Sequence, residues 1–169
     1  YLNITSSFET PTLNELSNNP DGSGGFNAKL NPQLARNYEI GLKGILGNKI
    51  RFDLALFQIN LKDELVPYEL EAYPGRSFFR NAGSSERKGI EMSAKLIIAQ
   101  NLTVLLSTTL SDFRYIEYNL TDTILNGKIL PGIPSRYGFG ELKYINRAGM
   151  YVKIQAHYSG RLYADDSNE

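Results

Sequence analysis

Along much of the chain, apolar and polar residues alternate one by one. In Tyr38–Gly44 one side reads Tyr38, Ile40, Leu42 and the other Glu39, Gly41, Lys43. Ile90–Leu96 sets Ile90, Met92, Ala94 and Leu96 against Glu91, Ser93 and Lys95. Met150–Tyr158 sets Met150, Val152, Ile154, Ala156 and Tyr158 against Lys153, Gln155 and His157. Successive strand residues face opposite sides, so each segment predicts a strand with one apolar and one wet face. Tyr1–Phe8 alternates weakly, Leu102–Tyr118 ends with aromatics on both sides, and Tyr137–Ile145 is mixed and carries Gly138 and Gly140. In Arg51–Leu61 the apolar set shifts by one, from Phe52, Leu54, Leu56 to Phe57, Ile59, Leu61. That shift predicts either a bulge or a strand covered on both faces. The pattern predicts seven strands in all.

The connectors alternate in length. Gly47-Asn48, Gln100-Asn101 and Asn146-Arg147-Ala148-Gly149 are tight turns whose Asn and Gly residues tolerate positive φ. Between them lie long connectors over about 9–35, 63–86 and 119–134, marked by runs such as Asn18-Asn19-Pro20-Asp21-Gly22 and by Pro67, Pro74, Gly75, Pro131 and Pro134. Short turns at one end and long loops at the other are the habit of an up-and-down outer-membrane barrel. The predicted fold is therefore all-β, an antiparallel up-and-down transmembrane β-barrel that is partial, about seven strands of a larger one. Tyr1–Thr5 reads as the middle of a strand, so the chain is expected to be a piece of a longer protein.

Composition narrows the function. The 169 residues hold 18 Lys+Arg against 18 Asp+Glu, so no basic surface is predicted for nucleic acid. The absence of Cys excludes a disulfide scaffold and any cysteine-based metal site or nucleophile, and a single His argues against His-rich metal sites and most acid/base pairs. Apolar runs are too short for a transmembrane helix, which leaves strands free to cross a bilayer. No Gly-x-Ser-x-Gly, P-loop or His-Glu-x-x-His sequence occurs. No enzyme and no cofactor are expected. His157 reads as one more residue of a polar face. Asp165-Asp166 reads as solvated charge near the end of the chain. Asn3-Ile4-Thr5, Asn101-Leu102-Thr103 and Asn119-Leu120-Thr121 match the glycosylation triplet, which carries no meaning in a bacterial barrel.

Five segments in order resemble one family. Ser6-Ser7-Phe8-Glu9-Thr10-Pro11 through Glu15-Leu16 comes first. Leu30-Asn31-Pro32-Gln33 follows, leading into Tyr38-Glu39-Ile40-Gly41-Leu42-Lys43. Then come Phe52–Asp63, Asn81-Ala82-Gly83 with Lys88-Gly89-Ile90-Glu91, and Leu130-Pro131-Gly132-Ile133-Pro134. Together they are similar to the later part of the barrel of TonB-dependent outer-membrane receptors, with Gln33 standing where that family usually has Glu. The resemblance implies that residues 1–169 are a partial barrel domain in the bacterial outer membrane, with the plug outside the chain. It implies active transport of a scarce nutrient, most often a ferric siderophore, with TonB engaged through the absent plug and lipid around the barrel.

The long connectors hold the candidate ligand residues. Tyr68, Tyr73, Arg76, Phe78, Phe79 and Arg80 cluster in one of them. Arginine pairs with carboxylate or catecholate oxygens, and aromatic rings stack on flat chelators. A secreted soluble β-sandwich that binds carbohydrate is the alternative; its apolar faces would pack on each other.

Overall fold

The structure is a computed structural model, and it describes all residues except 23, 82 and 119–123. The Asn119-Leu120-Thr121 triplet therefore lies outside the described residues. Seven long strands form one antiparallel sheet: β1 (Leu2–Glu9), β2 (Gln33–Leu46), β3 (Ile50–Lys62), β6 (Gly83–Ala99), β7 (Leu102–Tyr118), β8 (Arg136–Ile145) and β9 (Tyr151–Ser159). Each pairs with the next in chain order. Two elements that the alternation does not predict interrupt the long connectors. They are a one-turn helix α1 (Leu13–Leu16) and a hairpin of β4 (Leu65–Glu69) and β5 (Ser77–Asn81). That small hairpin is the only second sheet among the described residues, so no sandwich partner covers the large one.

Register shows how the faces are built. Leu42, Leu54, Met92 and Thr108 lie side by side across four strands, as do Ile40, Leu56, Ile90 and Leu110 one row away. On the opposite face Lys43, Asp53, Ser93 and Ser107 align. The apolar face is widely exposed: Leu42 is 59% accessible and Ile154 63%. A water-soluble body would bury such residues; a contiguous apolar band of this extent marks a surface that meets another apolar phase.

The shift at Arg51–Leu61 is not a bulge. β3 pairs with β2 and β6 residue by residue without a break. The bulges fall instead in the β6–β7 ladder, at Ser84/Ser85 and Ile97/Ala99. What changes along β3 is the surroundings. Beyond Leu56, Ile90 and Leu110, the next row of the apolar face is Gln58, Lys88 and Asp112. On the other face, at the same level, Phe57 meets Phe113 edge-on at 6.2 Å. So the band ends at one level across adjacent strands. The strands run on past it, as β6 and β7 must at 17 residues each, since about 9–11 cross a bilayer.

Glycines on the polar face make room for rings. A side chain at Gly89 would meet the Leu110 carbonyl oxygen at 2.5 Å and the Phe57 ring at 2.7 Å. At Gly41 the Tyr1 ring occupies that space. Covering a strand glycine with a neighbouring aromatic restores the contacts that the glycine lacks.

Candidate functional site

The long connectors all emerge at the same end of the sheet and fold together there. The first connector starts with a capping box: Thr12 and Glu15 bond each other's backbone N–H groups, which fixes the first turn of α1. It then docks on the β4–β5 hairpin. The Asn18 side-chain amide donates to the Ser77 carbonyl at 2.8 Å, and Arg76 donates to the Asn18 Oδ1 through Nε and Nη2 at 3.0 and 2.8 Å. Asn81 ties three strands of chain at once. Its Oδ1 accepts from the Asn31 N–H at 2.7 Å, and its Nδ2 donates to the Asn31 and Asp63 carbonyls at 2.9 and 2.7 Å.

The hairpin brings the candidate residues into a ladder. Tyr68 pairs with Phe78 across the strands, with ring centroids 6.0 Å apart, and Tyr73 lies 5.8 Å from Phe78. Arg80 sits 4.9 Å over Tyr68, and Arg76 sits 5.3 Å over Phe78. Arg80 thus caps the Tyr68 end of the row, and Arg76, which also lies 6.0 Å from the Tyr73 ring, spans its middle and other end, so that each cation faces a negative π surface. Phe79 is not part of it. It opposes Pro67 on the other side of the hairpin. Phe78 is 1% exposed and forms the floor of the row, whereas Tyr73 is 41% exposed and Arg76 is open to solvent.

The ladder's side of the hairpin also carries Val66, which packs against the end of β7. Glu64 and Arg87 form a half-buried ion pair at 2.6 Å. Val66 packs with Tyr115, Tyr118, Leu125 and Leu130 in the one buried apolar cluster among the described residues. The last residues of the chain close this cluster. Tyr115 donates to Asp166 Oδ1 at 2.8 Å, and Asn168 bonds both the N–H and the carbonyl of Ile129 at 2.7 Å. Asp166 is thus a structural acceptor rather than a solvated charge. Burial pushes the Tyr115 hydroxyl far above the ordinary tyrosine value, and the Asp166 carboxylate adds to the shift. Burial likewise pushes Tyr118 up to about 12.

Below the loops the polar face is wet and charged. Lys43 pairs with Asp53 at 3.2 Å. Glu141 accepts from Lys153 at 3.1 Å and from Gln155 at 2.7 Å. His157 lies on this face, with Nδ1 at 3.0 Å from the Tyr137 hydroxyl. No group of three His, Cys, Asp or Glu residues suited to a metal occurs among the described residues. Sequence reasoning missed Asn18, Asn81, Glu64, Arg87 and Tyr115 as organisers of the loop end. Only the Thr12-x-x-Glu15 pattern of the capping box was a readable signal there.

A family model described as the β-barrel of TonB-dependent receptor-like proteins matches residues 1–169. Among solved structures, the chain is similar to the siderophore receptor PiuA from Acinetobacter baumannii. Identity is 22% and the TM-score 0.72, over 99% of this chain and 24% of that one. It is similar to the ferric yersiniabactin uptake receptor FyuA from Yersinia pestis, at 17% identity and TM-score 0.70, over 99% of this chain and 24% of that one. It is also similar to the copper transporter OprC, at 19% identity and TM-score 0.67, over 86% and 21%. The chain therefore spans less than a quarter of the length of each of these solved chains.

Proposed function

We propose that the protein to which this chain contributes imports a ferric siderophore or similar iron chelate, and the premise is its family: the chain belongs to the TonB-dependent receptor-like β-barrels. Barrels of this family lie in the bacterial outer membrane, and the exposed apolar band is the surface that meets lipid there. The polar face then lines the barrel interior, and the long connectors form the extracellular end.

The observation that supports the reading is the guanidinium–aromatic row on the hairpin, which shares its side of the hairpin with Val66 and so lies next to the buried cluster of the loop end. Its open members, Tyr73 and Arg76, with Tyr68 and Arg80 beside them, offer flat π surfaces and bidentate donors to an anionic, planar chelate. Phe78 supports them from beneath, and Phe79 serves the hairpin's other face. In this reading residues 1–169 are barrel wall only. The plug and its contact with TonB lie elsewhere in the protein, and the wall performs no chemical step.

The test is growth of a strain lacking the whole gene on single iron sources. The reading expects loss of growth on one class of ferric chelate, restored by the wild-type gene. A Tyr73→Ala/Arg80→Ala receptor is expected to restore uptake about tenfold less well. Equal growth of the deletion strain on every iron chelate removes the iron assignment.

A further inference from the structure

Of the two guanidinium groups in the row, one already has an oxygen on its fork. Arg76 directs both Nε and Nη2 at a single acceptor, Asn18 Oδ1, at 3.0 and 2.8 Å. The Asn18 amide is fixed at its other end as well, where Nδ2 donates to the Ser77 carbonyl at 2.8 Å. Asn18 therefore bridges the side chain and the backbone of neighbouring hairpin residues, although it stands 58 positions before Arg76 in the chain. The guanidinium lies against rings, 5.3 Å from Phe78 and 6.0 Å from Tyr73, so its N–H edge is aimed before any ligand arrives.

The match on that edge is incomplete. The Nε and Nη2 N–H groups of an arginine are parallel and suit two oxygens that share a negative charge. Asn18 supplies one oxygen and no charge, so both bonds converge on one atom. A carboxylate or a catecholate would give each N–H its own oxygen, and hydrogen bonds to an ionised acceptor are the stronger ones. Among the described residues no carboxylate takes that place, since Arg76 belongs to none of the ion pairs. The same connector also touches the other open member of the row. A side chain at Gly22 would lie 3.1 Å from the Tyr73 hydroxyl. Asn18 and Gly22 thus lie against Arg76 and Tyr73, the two members of the row that are exposed.

We propose that Asn18 is an internal stand-in for the anionic group of the cargo. It holds the Arg76 fork until a ligand with two adjacent anionic oxygens displaces it, and it thereby selects against neutral ligands. The inference rests on the row being the chelate site. A ligand has to take Arg76 from Asn18, so its apparent affinity is lowered by the fraction of receptors in which the fork is free. A neutral ligand offers Arg76 no more than Asn18 already does, and so gains nothing from the exchange.

The full-length receptor, purified in mild detergent, is brought to dialysis equilibrium with radiolabelled ferric iron held by dihydroxybenzoate or by citrate. Asn18→Ala and Asn18→Asp both lose the bond to Ser77, so any loosening of the connector is common to the two. Their effects on binding are nonetheless expected to be opposite. Asn18→Ala, whose fork is free, is expected to bind about tenfold more tightly than wild type, and Asn18→Asp, whose carboxylate competes for the fork, about tenfold more weakly; tenfold is about 1.4 kcal/mol. In an Arg76→Ala background the two variants are expected to bind alike. Heat-modifiable mobility on gels shows that each variant is folded. Equal binding by the two variants with Arg76 present overturns the proposal. So does weaker binding in Asn18→Ala, or a difference between the two that survives in Arg76→Ala. A wild-type receptor that binds neither chelate removes the reading of the row and this inference with it, whereas a wild-type receptor that binds one of them without any influence of Asn18 removes the stand-in alone.

Discussion

At the scale of single residues, the glycines separate into kinds that the sequence alone does not distinguish. Gly89 is read easily as a strand residue, but not as the bed of the Phe57 ring, because the ring arrives from β3, 32 positions earlier in the chain. Gly89→Val drives methyl groups into the Leu110 carbonyl and that ring, and overpacking of this kind costs about 1–3 kcal/mol. The expected result is a lower denaturation midpoint of the full-length receptor in urea, with part of the loss recovered in Gly89→Val/Phe57→Ala. A Gly89→Val protein as stable as wild type would contradict the packing described. The two buried tyrosines at the end of β7 give a pH dependence at the same scale. Their folded hydroxyl pKa values lie above the unfolded value near 10, so they favour the neutral form. Their contribution is complete below pH 10 and is lost as pH rises, for Tyr118 through about 12. Absorbance titration of wild type against Tyr115→Phe/Tyr118→Phe is expected to show two tyrosines ionising late, together with loosening of the loops. If the difference spectrum titrates near 10, those hydroxyls are not held as described.

At the scale of elements, the strands were legible and the loop architecture was not. Alternation in Ile90–Leu96 is a local property that survives without knowledge of any partner, and β6 forms where it predicts. The β4–β5 hairpin carries Pro67 within its first strand and only five residues on each side, too little for a period to register. It exists because Asn18, Asn31 and Asn81 knit it to a connector about 50 residues away, and such bonds leave no periodic trace. The six candidate residues were legible as a composition, rings beside cations. Their division into a ladder of five and an outlying Phe79 needed the register of the hairpin. Asn81→Ala removes three hydrogen bonds, two of them to Asn31, and each is worth about 0.5–1.5 kcal/mol net. The barrel is expected to keep its thermal midpoint within about 2 °C while residues 17–32 become cleavable by protease in intact cells. Protection equal to wild type would mean that Asn81 does not anchor the connector.

At the scale of the whole molecule, the chain is a wall rather than a closed body. Its outer face is apolar over a band of rows, its inner face is charged, and the two exchange character at one level, where Leu56 and Ile90 give way to Gln58 and Lys88. The alternation of short and long connectors already pointed to this polarity, because turn length is written in the sequence, whereas the level of the exchange emerges only from register. Such a wall has two open sides, β1 and β9, each pairing with one neighbour only. The outward side chains of both are exposed, among them Leu2 at 69% and Ile154 at 63%. Unpaired edge strands with apolar side chains recruit further strands. Residues 1–169 expressed alone are therefore expected to associate edge to edge, and to do so more strongly in water than in detergent, since micelles cover the band but not the backbone groups of the edges. Light scattering across a dilution series checks this. A dilute monomer in plain buffer would mean that the edges or the band find cover within the chain, and that the strand order described here does not hold outside the membrane.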